Sequence, residues 1–189
     1  TSYVPPGKTE DDHGRFYSFG TMIDSNAEDG KYRQGICPEG WHIPSRTDWV
    51  QLMQHLNYDA SGDLFFAYGT QDEIKKRNIA VLKLITSSDN WEGWDFIEDY
   101  HTYANRTGLN LQPDGRGYVI NNDFNYFESG TVEYLTSSPL QKSKTTKEYD
   151  YERGFYFSIG GFTPLNIVSF DIKSSVENVG VFPCRCVKD

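Results

Sequence analysis

Apolar positions along this chain recur with two periods. Between 46 and 57 the spacing is helical: Trp49, Leu52, Met53 and Leu56 share one face, as a 3.6-residue repeat requires. Ser45 stands just before this run, Asp48 follows three residues later in near capping-box spacing, and Pro44 cannot belong to a helix interior. An amphipathic helix is therefore predicted over 46–57. Residues 72–86 read as a second helix in their first half, with Ile74, Ile79, Leu82 and Ile85 roughly on one side. The end of that segment, AVLKLIT, also alternates as a strand does.

Elsewhere the period is two. RFYSF, residues 15–19, alternates aromatic and polar and predicts a first strand. From residue 87 onward no helix is predicted. NWEGWDF, TGLNLQPDGRGYVI, FNYFESG, EYLTSS, RGFYFSI, NIVSFDI and VGVFPCRCV read as strands and long loops, punctuated by Gly, Asn, Asp and Ser. Residues 24–36 are turn-rich, and QKSKTTKEYDYE, 141–152, reads as a polar loop open to proteases. Residues 1–13 form a polar arm in this reading, and 14–189 a single domain. Helices in front and strands behind predict an α+β fold.

Composition narrows the function classes. A chain of 189 residues can bury a core without help from metal, and with 15% aromatics that core leans on Tyr, Phe and Trp. A net charge of −9 argues against nucleic acid and anionic lipid as partners, since both demand a basic surface. No apolar run reaches the length of a membrane span. The opening TSYVPPGKTEDDHG lacks the apolar core of a signal peptide, which leaves a cytosolic protein or one whose leader precedes residue 1.

Candidate chemistry concentrates in two places. CPEGWHIPSRTDW, residues 37–49, offers a thiol and a histidine, Cys37 and His42. Zinc needs three or four ligands, and His13, His55 and His101 show no paired spacing. A catalytic Cys–His pair needs an orienting third group, and nothing marks one. Cys37 and His42 therefore read as structural. Cys184 and Cys186 stand too close along a strand to bridge comfortably, so one long bridge from Cys37 to either is open and the third thiol stays free.

The second place is WEGWDFIEDYH, 91–101, where Glu92, Asp95, Glu98, Asp99 and His101 cluster. Calcium binds such oxygens, but the EF-hand pattern is missing and a solvated acidic loop is the usual meaning. Trp91, Trp94, Tyr100 and Tyr103, then Phe124, Tyr126 and Phe127, divide between core and surface. Any single ring is more often buried; exposed ones beside Asp and Asn form a stacking surface. No nucleotide loop and no nucleophile elbow occurs. Neither a metal nor a cofactor is expected.

Several segments, in order, resemble one family. GRFYSFGTMID resembles the opening of the Fibrobacter succinogenes major paralogous domain, and CPEGWHIPSRTDWVQLMQHL its most distinctive element. TGLNLQPDGRGYV and YLTSS are similar to its middle segments, and RCVKD to its close. The chain departs from the pattern at NLQPDGRGY, in insertions at 57–80 and 139–152, and at Cys184, where an apolar residue is usual.

The resemblance implies a C-type lectin-like α+β fold: one or two helices packed on a small twisted antiparallel sheet, long loops, and termini close together. It also implies export to the cell surface or outer membrane of Bacteroidetes-type bacteria, often as a lipoprotein tethered upstream of residue 1. A Cys37–Cys186 disulfide follows from the family match of both cysteines. Alternation along VFPCRCV puts Cys184 on the same face as Cys186, so Cys37–Cys184 is the competitor.

The implied role is non-catalytic: a binding module for a glycan, peptide or surface protein. The alternatives are a structural or tip subunit of an adhesive surface assembly and, further off, an enzyme related to the formylglycine-generating enzymes. The calcium motifs of true lectins are absent, so sugar binding is not inherited from the fold. In such a fold the loops between the later strands carry recognition. Here those loops hold Trp91, Trp94, Tyr100, Tyr103, Asn122, Asp123, Asn125 and Tyr126, with Trp94 and Tyr126 expected as exposed rings. The acidic bias of 92–99 favours a neutral or cationic ligand.

Overall fold

The computed structural model describes residues 2–23, 34–56, 79–85, 100–127, 130–141, 149–162, 167–173 and 180–189. Its described elements mix short helices with antiparallel strands. They run β1 (Ser2–Tyr3), α1 (Glu10–His13), β2 (Phe16–Tyr17), α2 (Phe19–Met22), β3 (Trp41–His42) and α3 (Arg46–His55). A helical turn at 79–82 (α4) and α5 (Tyr100–Tyr103) follow. The strands β4 (Arg116–Ile120), β5 (Asp123–Phe127), β6 (Val132–Gln141), β7 (Tyr149–Phe162), β8 (Ile167–Lys173), β9 (Gly180–Pro183) and β10 (Val187–Lys188) complete the chain.

The strands pair in three groups: β1-β2-β9-β4-β5, β6-β7-β8, and the ribbon β10-β3. β1 lies one strand from β9, so the two ends of the chain share a sheet. The segment expected as a polar arm is thereby tied down: Ser2 pairs with Tyr17, and Arg15 reaches both Ser2 and Glu10.

The packing follows from period two in β6 and β7. Tyr134 pairs with Phe157 and Leu135 with Tyr156. Tyr134 and Phe157 enter one core cluster with Trp49, Met53, Leu82 and Leu111. Leu135 and Tyr156 enter another with Phe19, Met22, Cys37, Ile43 and Phe182. Neighbouring residues thus feed opposite faces, and the β6–β7 ribbon is buried on both. Helices α2 and α3 both pack on β7. The Tyr134 hydroxyl donates to Asp114, and burial, with that carboxylate nearby, pushes the phenol above its usual range.

Helix α3 forms where predicted. The Ser45 hydroxyl accepts from the Asp48 backbone N–H at 3.2 Å, and Asp48 accepts from the Ser45 N–H at 2.7 Å, a complete capping box. Such a cap stabilises a helix by about 1 kcal/mol.

Other expectations shift. Of the strand expected over 15–19 only Phe16–Tyr17 is strand, and it is the second in the chain, because the chain turns into α2 at Phe19. The helix proposed for the first half of 72–86 lies outside the described residues; the second half holds the turn at 79–82 and a bridge from Ile85 to Leu111. α5 contradicts the absence of helix after residue 87; at four residues it is too short to show a period. The ends of the expected loop 141–152 are strand: Gln141 pairs with Tyr149 and Leu140 with Asp150. Trp41 is 40% exposed, opposite the exposed Lys188 on the surface ribbon.

Candidate functional site

The segment 37–49 forms a corner held from several directions. Cys37 is bonded to Cys186, closing a separation of 149 residues. Three residues further on, the Asp189 N–H donates to the Gly40 carbonyl at 3.1 Å, and Val187 pairs with His42. The β6 strand grips the other side: the Ser137 N–H donates to the Pro44 carbonyl at 2.9 Å, and the Ser138 hydroxyl accepts from the Arg46 N–H at 3.0 Å. Gly35 fits beneath because it has no side chain; a Cβ there would stand 2.2 Å from the Met22 carbonyl oxygen, at φ +51°.

His42 is the polar centre of this corner. It is 5% exposed, its Nδ1 lies 2.5 Å from an Asp189 carboxylate oxygen, and its Nε2 lies 3.8 Å from Asp48. Asp48 also accepts from the Ser45 hydroxyl at 2.7 Å. These carboxylates and the ring orient one another and fix the corner. Cys37 and His42 thus stand apart in role: the thiol is spent in a disulfide, and the histidine is packed against two acids.

Against this corner lies a pocket of about 390 Å³. Its apolar wall comes from Pro44, Trp49 and Leu52 at the start of α3, Leu109 after α5, and Val187 on β10. Its polar side is His42, Asp48, Lys188 and Asp189, with Thr107 beside Leu109. The Leu109 position is pinned by Arg185, whose guanidinium donates to the Leu109 carbonyl at 2.6 Å. Sequence reasoning missed this pocket. Its walls come from stretches far apart in the chain, and Leu52, Leu109 and Val187 individually signal nothing beyond an apolar position.

The residues expected to carry recognition divide. Asn122, Asp123, Asn125 and Tyr126 sit together on the β4–β5 hairpin, whose turn places Asn121 and Asn122 at φ 52° and 68°. Tyr103 packs elsewhere, against the cluster that contains Trp49 and Leu111, with Arg106 over its ring. Trp91 and Trp94 lie outside the described residues, as does the Tyr100 side chain.

Within the hairpin, the ring expected to be exposed turns inward. Tyr126 is half-buried, edge-on to Phe16 at 5.7 Å, on the face shared with Phe124. Alternate side chains occupy opposite faces of a strand, so Phe127 points out and is 52% exposed. It meets Tyr118 edge-on at 5.5 Å, and Arg116 lies over the Tyr118 ring at 5.4 Å. The exposed face is therefore Tyr118, Phe127 and Ile120 beside Asn125 and Asp123. On the inner face Gly117 is required, since a Cβ would stand 2.1 Å from the Phe124 ring.

The third thiol lies beside the bridge. The sulfurs of Cys37, Cys184 and Cys186 all fall within 4.8 Å of one another. Burial pushes the Cys184 thiol up to about 12, so at neutral pH it is protonated and a poor nucleophile. Its folded value exceeds that of an unfolded cysteine, near 8.5. Stability from this group is therefore fully present below about pH 8.5 and is lost as pH rises toward 12. Peptide maps of unreduced protein should show only Cys37–Cys186 after incubation at pH 7. A Cys37–Cys184 product should accumulate above about pH 10, as Cys184 thiolate attacks Cys37 and Cys186 leaves. Equal scrambling at both pH values would show that burial does not restrain the thiol.

Fold and site together define an α+β domain whose C-terminal segment is locked by one disulfide to the corner at 37–49 and its pocket. The model of the Fibrobacter succinogenes major domain matches residues 2–188, and the chain belongs to that family. The match begins within the segment first read as an arm. No curated protein and no solved structure matches the chain. Among the described residues no helix is long and apolar enough to cross a membrane.

Proposed function

We propose that this domain is a non-catalytic binding module, exported to the cell surface, whose fold is a member of the C-type lectin-like group. The observation that carries the reading is the pocket at the disulfide corner. Its volume of about 390 Å³ falls within the range of small-molecule and side-chain sites, roughly 300–1,000 Å³. Three of its polar groups are committed to structure: Asp189 holds His42, and Asp48 caps α3. The Cys37 thiol, the thiol nearest His42 in the sequence, is consumed by the bridge to Cys186, which favours binding over Cys–His catalysis. The long-range disulfide supports export, since such bridges persist in oxidising compartments.

A second reading, a subunit of an adhesive assembly, is favoured by a different feature. Among the described residues β5 stands at the edge of its sheet; Phe127 at its end and Ile120 on the neighbouring β4 are 52% and 58% exposed. Edge strands with apolar side chains template pairing with another chain.

One experiment separates the two. Wild-type protein and Leu52→Glu are screened on combined glycan and peptide arrays, with sedimentation of both at rising concentration. The binding reading expects a ligand retained by wild type and lost by the variant, from a monomer. Self-association abolished by Phe127→Lys, with no array ligand, would replace it with the assembly reading.

A further inference from the structure

We propose that Cys37, Cys184 and Cys186, once the bridge is reduced, form a three-sulfur site for one Cu(I) ion, so that bridge and metal exclude one another. The site stands apart from the pocket and does not rest on the binding reading.

Spacing along the chain hides this site, and topology builds it. β9 ends at Pro183 and β10 begins at Val187, so Cys184 and Cys186 fall in the link between two strands. Phe182 and Pro183 pair with β2, and Val187 pairs with His42 of β3. Both ends of the link are therefore held, and Cys37 lies beneath it. The three sulfurs fall within 4.8 Å of one another. Three sulfurs placed about 2.3 Å from one metal, the distance of a zinc–thiolate bond, stand about 4 Å apart in a trigonal plane. Reduction frees Cys37 and Cys186 to separate to that spacing, and Cys184 is already within reach. The bridge uses two of the three sulfurs and leaves Cys184 over; a metal uses all three.

The donor set selects the ion. Thiolates are soft ligands, suited to Cu(I) and zinc, whereas calcium and magnesium take oxygen. Structural zinc takes four protein ligands. Among the described residues no histidine, aspartate or glutamate joins the three sulfurs. Cu(I), a soft monovalent ion, is satisfied by two or three thiolates alone. The surroundings agree: the sulfurs sit with Phe19, Met22, Leu135 and Phe182 in one apolar cluster, which excludes the water a hard cation would keep.

The bridge is the gate, because a thiolate binds metal and a disulfide sulfur is no longer one. Opening it takes two electrons and two protons. A thiol reductant supplies both and leaves as its own disulfide. Cu(I) then displaces protons from the thiols to solvent as it binds.

The test starts from the whole chain, reduced by a water-soluble phosphine. The phosphine takes its oxygen from water and leaves as the oxide, and it is removed without air. Cu(I) is then titrated in competition with bicinchoninate. Reduced wild type should take one Cu(I) per chain, with three sulfur neighbours by X-ray absorption, and the bridged protein none. Reduced Cys184→Ser should show two sulfur neighbours and bind about a hundredfold more weakly or worse, beyond the cost of removing a group that only orients a ligand. Near-ultraviolet circular dichroism follows the fold. The reduced chain should keep its native spectrum or regain it with one equivalent of Cu(I), since an ion that binds the folded state stabilises it. Equal capture by Cys184→Ser, or by the bridged protein, would overturn the site. Capture by a chain that stays unfolded would show that the fold does not build it. One zinc ion per chain, held as tightly as Cu(I), would reveal a fourth ligand and overturn the choice of metal.

Discussion

Replacing Cys37 by Ser will cost this domain about 5 kcal/mol of unfolding free energy, the largest effect expected from any single change. The bridge to Cys186 closes 149 residues. In the chain-entropy account a loop of that length restricts the unfolded chain by about 5 kcal/mol, comparable with the whole stability of a marginal domain, roughly 5–15 kcal/mol. Cys186→Ser should behave differently. Cys184 lies with Cys37 and Cys186 inside 4.8 Å, and pairing it with Cys37 closes a loop only two residues shorter. The entropic term is then almost unchanged, and the variant pays only for distortion near β10. Urea denaturation should therefore rank Cys37→Ser below Cys186→Ser, with the double variant lacking Cys184 and Cys186 equal to Cys37→Ser. If Cys186→Ser is as weak as Cys37→Ser and carries two titratable thiols, Cys184 cannot reach its neighbour.

The same residues show how much of this protein could be read before its fold. α3 was legible because its signals are local: Ser45 and Asp48 cap it, and Trp49 and Met53 recur one turn apart on the buried face. The partner of Cys37 was legible only through family resemblance, because alternation places Cys184 and Cys186 on one face. β5 was legible as a short aromatic segment, strand or loop, but neither its pairing with β4 nor its phase was. DFNYF alternates whichever way it is turned, and a shift by one residue exchanges Tyr126 for Phe127 on the exposed side. What fixes the phase is remote: Phe16 takes Tyr126 edge-on, and the missing side chain of Gly117 makes room for Phe124. The pocket was illegible for the same reason carried further. His42 meets Asp189, and Leu52 shares a wall with Leu109 and Val187, only after three segments of the chain have met. α5, four residues of YHTY, is too brief for any periodicity to announce it.

Trp49→Ala is the second large effect, expected to lower stability by about 3–5 kcal/mol, the usual cost of deleting a buried aromatic. Trp49 is 2% exposed and belongs to the cluster that joins α3 to β6, β7 and the 79–85 segment. Its ring stacks on Phe157, so truncation removes one half of the contact by which α3 sits on β7. The loss is not offset by relaxation, because the surrounding Met53, Leu82, Leu84 and Ile85 are themselves fully buried and held by neighbours. Trp49→Phe separates the two things this residue does. A phenyl ring keeps the stacked contact and removes the indole N–H, which has no acceptor in the unliganded fold. Deleting an unpaired buried donor recovers about 1–3 kcal/mol, against the smaller ring's lost contacts. The phenylalanine variant should consequently stay within about 1 kcal/mol of wild type. Thermal and urea denaturation of both variants, compared with wild type, check this. A large loss in Trp49→Phe, equal to that of Trp49→Ala, would mean that the N–H is paired in solution.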